Sequence, residues 1–432
     1  MNSTDNLPTS HTDVVVIGGG PAGATTSTLI AQQGFQVRLF ERDHFPRFHI
    51  GESLIPETYW VLKRLNMLDK MKQSHFVKKC SVQFVNSRGR ISEPFYFTDH
   101  RPHECSETWQ VRRSEFDTMM LENAAEHGVE VNQGVRIREV LFDGDRALGV
   151  IIQREDGSQE RVLAKVVVDA SGQSHLIGSK FQLLERDPKL KKGAVWTYWK
   201  GAYRDEGRDE GATIVLQTED KRGWFWYIPL HDDIVSVGIV RPFDELFTGN
   251  RDHETIYQDE LEKCPEVKRR VLMGERCDQY RAIKDYTYKA ARCAGDNWVL
   301  VGDAHGFLDP LYSSGVLLAL KSGQLAADAV VEGLRKGDTS QAQLGKWGPD
   351  FNRGMAYMRE LVVAYYEGFS FGRFVRKYPH FKGHLTDLLI GNLWLEGIEE
   401  VFPPLREMLE EFRAEKAARE SEAAAAPATA TA

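Results

Sequence analysis

The 432 residues, 42% of them hydrophobic and 27% charged, have the composition of a globular protein of about two or three domains. The formal net charge of −8 gives no electrostatic reason to expect nucleic acid or an anionic membrane as a partner. The 5 cysteines form no C-x-x-C pair, which argues against disulfides and against a zinc site. The N-terminus lacks a signal-peptide core, and no run of residues is apolar enough to span a bilayer. We therefore expect a soluble cytoplasmic protein without a metal ion.

The first residues predict a strand, a helix and a second strand, the unit that opens a dinucleotide-binding domain. Residues 13–17 and 36–40 are short apolar strands, and residues 22–33 have helical composition. The turn between strand and helix has the pattern G-x-G-x-x-G, made of Gly18, Gly20, Pro21, Ala22 and Gly23. Such a turn lets the backbone approach a pyrophosphate at a helix N-terminus, and Glu41 after the second strand can accept hydrogen bonds from a ribose.

Two further segments favour FAD over NAD. Residues 111–117 read V-R-R-S-E-F-D and resemble the V-x-R-x-x-F-D segment of p-hydroxybenzoate hydroxylase-like flavoproteins. That resemblance puts Arg113 at the family's arginine, which can face flavin phosphate or ribose. A surface arginine at the start of a helix is the alternative. Residues 299–304 read V-L-V-G-D-A and resemble the family's G-D motif, whose aspartate, here Asp303, contacts the ribityl chain of FAD.

The remaining pattern predicts a β-rich part and a C-terminal helical part. Residues 190–245 alternate apolar and polar residues with many aromatics, which is typical of antiparallel sheet. We also predict helices at 54–73, 113–126, 253–273 and 316–334, and strands at 82–96, 128–140, 147–152, 161–168 and 297–301.

Together these elements predict an α/β fold with a Rossmann-like FAD-binding domain, an inserted mixed β-sheet substrate domain and a C-terminal helical region. The boundaries are 1–80, 105–180 and 290–335 for the FAD-binding domain, 81–104 and 181–289 for the β-rich domain, 336–415 for the helical region, and 416–432 for a disordered tail.

Residues 224–229 read W-F-W-Y-I-P. A W-x-W-x-I-P string on a chain with FAD motifs resembles the flavin-dependent halogenases. Strand alternation puts Trp224, Trp226 and Ile228 on one face, and Pro229 ends the strand. The resemblance implies that these four residues form a wall between the substrate and the flavin. A core strand with bulky residues on both faces is the alternative.

A second halogenase pattern, F-x-x-P-x-x-S-x-G, is matched by Phe307, Pro310, Ser313 and Gly315. The resemblance implies that Phe307 lines the route to the substrate and that Pro310 and Gly315 lie at the flavin. The amides of Ser314 and Gly315 open a helix and form an anion pocket suited to chloride or bromide. The alternative is that these amides face the flavin ring, as in any flavoprotein of this fold.

Residues 76–84 read F-V-K-K-C-S-V-Q-F and resemble the halogenase segment F-x-x-K-x-G-A-x-F, with Ser-Val in place of Gly-Ala. The resemblance places the catalytic lysine at Lys79. On a strand, Lys78 faces the opposite side, and a Lys-Lys pair is otherwise ordinary solvated surface. To form a haloamine Lys79 must be partly neutral, and burial among apolar groups lowers a lysine pKa.

Residues 51–56 read G-E-S-L-I-P and resemble a halogenase G-E-S-x-x-P segment. With Arg47 before it, this segment puts Arg47 and Ser53 at the cofactor, and a helix cap at Ser53 is the alternative. The NADPH-dependent hydroxylases of this fold carry D-G-x-x-S-x-x-R after the strand at 161–168. Here Ser171 and Gly178 replace its Asp and Arg, which indicates that NADPH is not the direct reductant.

The resemblance implies a two-component halogenase. A separate flavin reductase supplies FADH₂, halide is oxidised with O₂ to hypohalous acid, and the oxidant passes to Lys79. The lysine then presents the halogen, as a haloamine or by hydrogen bond, to an electron-rich aromatic ring. Tyr312 stands where tryptophan halogenases carry a glutamate, which favours a phenol or pyrrole, free or tethered to a carrier protein. The alternatives are a single-component NAD(P)H-dependent FAD monooxygenase or reductase of the same fold, and a flavin-binding protein without catalysis.

Overall fold

A computed structural model describes residues 7–284 and 286–425 of the chain. Residues up to Asn352 form one compact unit and residues from Arg353 form a second. Within the described ranges, no helix combines the length and the apolar character that crossing a membrane requires.

The first unit contains an eight-stranded sheet built around parallel strands. Its strands are Thr9–Ile17, Val37–Phe40, Glu130–Asn132, Arg136–Asp143, Arg146–Gln153, Gln159–Asp169, Ala294–Gly295 and Trp298–Leu300. The first strand runs parallel to the second and to Gln159–Asp169. Its Val14, Val15 and Val16 are fully buried, which explains why residues 14–17 are a continuous apolar run.

A second eight-stranded sheet has mostly antiparallel pairing. Its strands are Ser81–Val85, Phe95–Tyr96, Lys192–Lys200, Thr213–Gln217, Trp224–Pro229, Ile234–Pro242, Glu275–Arg276 and Arg281–Lys284. Phe225 and Tyr227 point from one face into an apolar core that also contains Tyr257 of a covering helix. The other face carries Trp224, Trp226 and their neighbours, so the strand alternates as its sequence predicts.

Two small sheets and a set of α-helices complete the described elements. The small sheets pair Val77–Lys79 with Thr108–Gln110, and Tyr288–Ala290 with both Leu184–Arg186 and Gly306–Phe307. The α-helices are Pro21–Ala31, Thr58–Arg64, Leu68–Gln73, Arg113–Glu126, Leu176–Lys180, Phe243–Leu246, His253–Leu261, Pro265–Val271, Gly315–Lys336, Gln341–Leu344, Gly348–Tyr366, Phe371–Lys377, Lys382–Ile390 and Phe402–Ala425.

The predicted α/β architecture with a mixed second sheet and C-terminal helices is confirmed. The predicted domain boundaries stay a prediction. The single helix predicted at 54–73 is wrong, because Asn66 takes a left-handed conformation (φ 59°) between two short helices. The helix predicted at 253–273 is likewise divided, because Pro265 opens a new helix.

The last helix continues to Ala425, past residue 416, where we predicted that a disordered tail begins. Alanine and glutamate dominate this stretch, and both are strong helix formers. Residues 426–432 of the predicted tail lie outside the described residues.

Gly238 tests the packing of the second sheet. A Cβ atom there would lie 2.3 Å from the Trp226 ring and 2.4 Å from the Trp196 Cβ. We expect Gly238→Ala to lower the free energy of unfolding by about 1–3 kcal/mol, measured by denaturant titration. Gly178→Ala is the control, because its Cβ would make only ordinary contact at 3.4 Å. Equal stability of the two variants would contradict this account of the packing around Gly238.

Candidate active site

The glycine-rich turn leaves open space at only one of its three motif glycines. Gly18 has φ +101°, and a Cβ there would lie 2.4 Å from the Ala170 carbonyl oxygen. A Cβ on Gly23 would lie 1.9 Å from the Gly18 oxygen, so both glycines are required by the protein itself. Gly20 has an ordinary φ of −69°, and the nearest atom to its Cβ would be Arg47 Nη2 at 3.4 Å. That space lies at a helix N-terminus beside a guanidinium, which fits a pyrophosphate.

Glu41 supports this turn from the end of the second strand. Its Oε2 accepts a hydrogen bond from the Gly19 amide at 2.7 Å, and its Oε1 accepts one from the Asp43 amide at 3.0 Å. The carboxylate keeps lone pairs for further donors, so its contact with a ribose stays a prediction. Pro21 and Ala22 occupy the first positions of the Pro21–Ala31 helix and are buried.

Two arginines meet at one buried aspartate. Arg113 donates to both oxygens of Asp117 at 2.7 and 3.0 Å, and Arg47 donates to the same carboxylate at 3.2 Å. Arg113 also donates to the Ile50 carbonyl at 2.6 Å. Arg113 therefore holds the chain just before Gly51, while Arg47 lies over Gly20. A contact of Arg113 with flavin phosphate or ribose stays a prediction.

Asp303 lies after the Trp298–Leu300 strand, at the carboxyl end of the parallel sheet, where α/β sheets of this kind bind their ligands. Burial raises its pKa to about 6, and the charge of Arg113 acts in the opposite direction. A carboxylate at this edge can accept hydrogen bonds from the hydroxyl groups of a ribityl chain. These residues therefore fit FAD.

The predicted anion pocket lies at the start of the Gly315–Lys336 helix. Its first amides have no acceptor within the helix, and Ser314 before it is buried. A Cβ on Gly315 would lie 3.2 Å from the Phe307 ring, so the glycine lets that ring pack against the helix start. Pro310 begins the turn that leads into the helix. The pocket can hold a halide, although that role stays a prediction.

Lys79 is fully buried, with 0% of its surface exposed. Its Nζ donates to the Ser53 hydroxyl at 2.7 Å and to the Leu54 carbonyl at 2.9 Å, and the Phe97 ring centroid lies 5.6 Å away. Within the described residues no carboxylate forms an ion pair with it. Burial alone lowers its pKa to about 7.

Lys78 has the opposite environment, as strand alternation predicts. Its side chain is 40% exposed, its Nζ lies 3.2 Å from Glu107 Oε1, and it lies over the Trp109 ring. Only Lys79 is therefore placed to act as a neutral amine.

Ser53 was predicted at the cofactor, and the structure places its hydroxyl at the lysine. Ser53 Oγ accepts from Lys79 and lies 2.8 Å from Thr213 Oγ1. Its contact with flavin stays a prediction. Gly51, with φ +104°, passes between Arg113 and the Val316 side chain, which would lie 3.0 and 3.9 Å from a Cβ at that position.

The tryptophan face of the second sheet is closely packed. The Trp226 ring centroid lies 6.1 Å from that of Trp196 and 6.4 Å from that of Trp224. Ile228 and Pro229 continue the same strand and are buried. The placement of this face as a wall against the flavin stays a prediction.

Glu52 is a buried acid to which we assigned no role from the sequence. It lies inside the quoted G-E-S string, and its Oε1 accepts from the Tyr198 hydroxyl at 2.6 Å. Burial raises its pKa to about 7. The string itself drew attention to Glu52, but no pattern points to Tyr198, which is 146 residues away.

His75, Glu115 and His231 form the group within the described residues whose atoms could hold a metal ion. Each histidine Nε2 lies 3.0 Å from a different oxygen of Glu115. The Arg112 guanidinium also lies 3.4 Å from that carboxylate, and His231 Nδ1 makes no hydrogen bond with a described residue. Ligating histidines normally donate from their second nitrogen, so the arrangement is that of a hydrogen-bonded cluster.

The sequence and the fold are similar to those of known proteins. The family model described as FAD binding domain matches residues 11–340. The chain is 34% identical over 329 residues to a pyrrole-2-carbonyl-peptidyl-carrier-protein brominase of Pseudoalteromonas luteoviolacea, covering 76% of this chain and 79% of that one. It is 35% identical over 368 residues to a tryptophan 2-halogenase of Chondromyces crocatus, covering 84% and 69%. The solved flavin-dependent brominase Bmp2 is similar with a TM-score of 0.82 and 29% identity, covering 94% and 100%.

Gly20 and Gly23 separate the cofactor's need for glycine from the protein's own. We expect Gly20→Val to weaken FAD binding by more than about tenfold, or 1.4 kcal/mol, because its side chain fills the open space above the turn. The stability of the cofactor-free protein should not change. Gly23→Val should instead unfold the cofactor-free protein, because it collides with the Gly18 backbone. Flavin fluorescence titration and thermal unfolding measure the two effects, and tight FAD binding by Gly20→Val would contradict the assignment.

Proposed function

The chain belongs to the flavin-dependent halogenases, enzymes that halogenate aromatic substrates, and we propose that it acts on an electron-rich phenol or pyrrole through Lys79. The observation that carries the proposal is the environment of Lys79. A fully buried amine with only neutral acceptors has a pKa near 7 and is partly neutral at physiological pH.

A neutral amine has a free lone pair that can take halogen from hypohalous acid: an N–X bond forms, the O–X bond breaks, and the amine proton leaves with the hydroxide as water. Reduced FAD, with O₂, supplies the oxidising equivalent that converts halide into that acid. The residues around Gly20, Arg47 and Asp303 hold the cofactor, and the amides at Ser314 and Gly315 hold chloride or bromide. Lys79 then fixes where the halogen is released, because an oxidant free in solution has no means of selecting one ring position.

Lys79 is buried on all sides, so the substrate must open the surface that covers it. Its two acceptors, Ser53 and Leu54, lie in one short segment. We infer that a displacement of this segment, by substrate or by cofactor, exposes the amine.

The preference for phenols and pyrroles rests on Tyr312. It stands where tryptophan halogenases carry a glutamate, and its side chain is buried. One relative acts on a pyrrole carried by a peptidyl carrier protein and another on tryptophan, so the relatives cover both classes. We propose a free or carrier-tethered ring for this chain, and a separate flavin reductase as its second component.

Substitution of each lysine in turn tests the assignment of Lys79 most simply. Lys79→Ala should lower halogenated product by about two orders of magnitude or more, the usual range for a group acting in the transition state. FAD affinity should not change, nor should the yield of hypohalous acid caught by a small-molecule trap. Lys79→Arg should fail as well, because a guanidinium stays protonated.

Lys78→Ala is the matched control and should keep full activity, because its side chain points to solvent and Glu107. Product from Lys79→Ala but not from Lys78→Ala would reverse the assignment. Full activity of both variants would favour the monooxygenase alternative. Mass spectrometry detects the halogenated product of each of the three variants by its halogen isotope pattern.

The reductant is tested by adding NADPH to the FAD-loaded protein without oxygen or a reductase. We expect no useful rate of flavin reduction, because Ser171 and Gly178 replace the charged Asp and Arg of the hydroxylase signature. The Ser171 hydroxyl instead accepts from the Leu176 amide at 3.3 Å. A generic flavin reductase with NADH, in a parallel sample, provides the positive control. Rapid loss of flavin absorbance with NADPH alone would support a single-component enzyme.

A further inference from the structure

Glu52 has one carboxylate oxygen that the protein does not use. The side chain is 2% exposed, and its Oε1 accepts from the Tyr198 hydroxyl at 2.6 Å. Its Oε2 makes no hydrogen bond with any described residue. A buried acceptor without a donor costs free energy, so its presence calls for an explanation.

Strand register places Glu52 against the tryptophan face. Two neighbouring rows of that face are Trp196–Gly238–Trp226 and Tyr198–Ser236–Ile228. Glu52 bonds to Tyr198 of the second row, and the Ser236 hydroxyl beside it accepts the Trp226 indole N–H at 3.1 Å. The carboxylate therefore lies at an otherwise mainly aromatic surface, and the Trp196 Nε1 donor on that surface is also without a described partner.

The covering of Glu52 is shared with Lys79. The two acceptors of the Lys79 amine belong to the two residues that directly follow Glu52. A displacement of Ser53 and Leu54 that exposes the amine to a substrate therefore also moves the backbone next to the Glu52 carboxylate. A ring bound on the tryptophan face would lie against Glu52, which directly precedes the two residues that hold the amine.

We propose that Glu52 is the substrate-binding carboxylate of this enzyme, accepting a hydrogen bond from the O–H or N–H group of the ring to be halogenated. The inference rests on the proposed function and adds the group that recognises the substrate. It assigns the substrate class by chemistry, namely aromatic rings that carry a hydrogen-bond donor. A carboxylate acceptor also increases the electron density of such a ring, which favours attack by an electrophile.

The groups facing Glu52 fit this role. Tyr198 fixes the orientation of the carboxyl group, and the hydroxyl groups of Tyr198 and Ser236, with the charges of Arg113 and Arg112, favour its charged form. Burial outweighs them and raises the pKa to about 7, so the carboxylate is substantially present at neutral pH and above. The O–H or N–H group of the substrate would donate the hydrogen bond that Oε2 lacks.

The test compares a phenol with its O-methyl ether, which differs only in the missing donor. The ratio of the enzymatic rates for the two substrates is divided by the ratio of their rates with hypobromous acid in solution. The quotient no longer depends on the intrinsic reactivity of the two rings. We expect the enzyme to favour the phenol by about 10- to 100-fold beyond that ratio, the range of a hydrogen bond to a charged group. Glu52→Gln should reduce this preference to within about threefold, with FAD affinity and hypohalous acid yield unchanged.

Glu104→Gln is the matched control, because Glu104 also accepts from a tyrosine, Tyr59, but lies at the surface. It should keep the full preference. If the wild-type enzyme shows the same phenol-to-ether rate ratio as free hypobromous acid, the proposal is overturned without any variant. Undiminished preference in Glu52→Gln would overturn it as well.

Two measurements keep the proposal testable if turnover or the variant fails. Quenching of tryptophan fluorescence by the two compounds compares their binding without catalysis, and the phenol should bind more tightly to the wild type. If the wild type makes no halogenated phenol, the proposed function fails, while this binding difference still decides the role of Glu52. Tyr198→Phe removes the hydroxyl that orients the Glu52 carboxylate, so it should reduce the preference for the phenol over the ether. An unchanged preference would count against the proposal.

Discussion

The interaction on which the site depends is the burial of the Lys79 amine between two neutral oxygens. Ser53 Oγ and the Leu54 carbonyl satisfy two of its donors, and within the described residues no carboxylate balances a positive charge. An ammonium in such a place loses its hydration without gaining an ion pair, so the neutral amine is favoured. Lys78, one residue earlier, keeps a solvent-exposed charge beside Glu107. Backbone alternation therefore places two adjacent lysines in different environments.

The segment from Gly51 to Leu54 joins the parts of the site. Gly51 lies between Arg113 and the start of the helix that holds the anion pocket. Glu52 faces the tryptophan side of the second sheet, and Ser53 with Leu54 holds the lysine. Position 51 favours glycine for two reasons. Its φ is +104°, and a Cβ there would lie 3.0 Å from the Arg113 guanidinium. The residues predicted at the cofactor and those that hold the lysine therefore share one short backbone segment.

Local patterns predicted much of this arrangement. The glycine turn, the first parallel strands and the opposite orientation of Lys78 and Lys79 follow from spacing and alternation over a few residues. The pairing of Arg113 with Asp117 was also within reach of the sequence, because residues four apart on a helix are neighbours. We expected that guanidinium to face the flavin, since the family resemblance directed attention to the cofactor.

Contacts between distant parts of the chain could not be predicted in the same way. Ser53 meets Thr213 and Glu52 meets Tyr198 only because the second sheet folds over the segment, and no periodicity in either stretch encodes this. The break at Asn66 likewise depends on a left-handed residue inside an apolar helical pattern. The family comparisons support the enzyme class, while the roles of Lys79 and Glu52 rest on burial and geometry.

Titration of the Lys79 amine tests the central claim most directly. Carbon-13 labelling at the lysine Cε, with the signal assigned by its loss in Lys79→Arg, reports the protonation of this side chain by NMR. The account predicts a midpoint near pH 7 for Lys79, well below the ordinary lysine value of 10.5. A Lys79 midpoint near 10.5 would contradict it, because the amine would then be charged at neutral pH and unable to take up halogen.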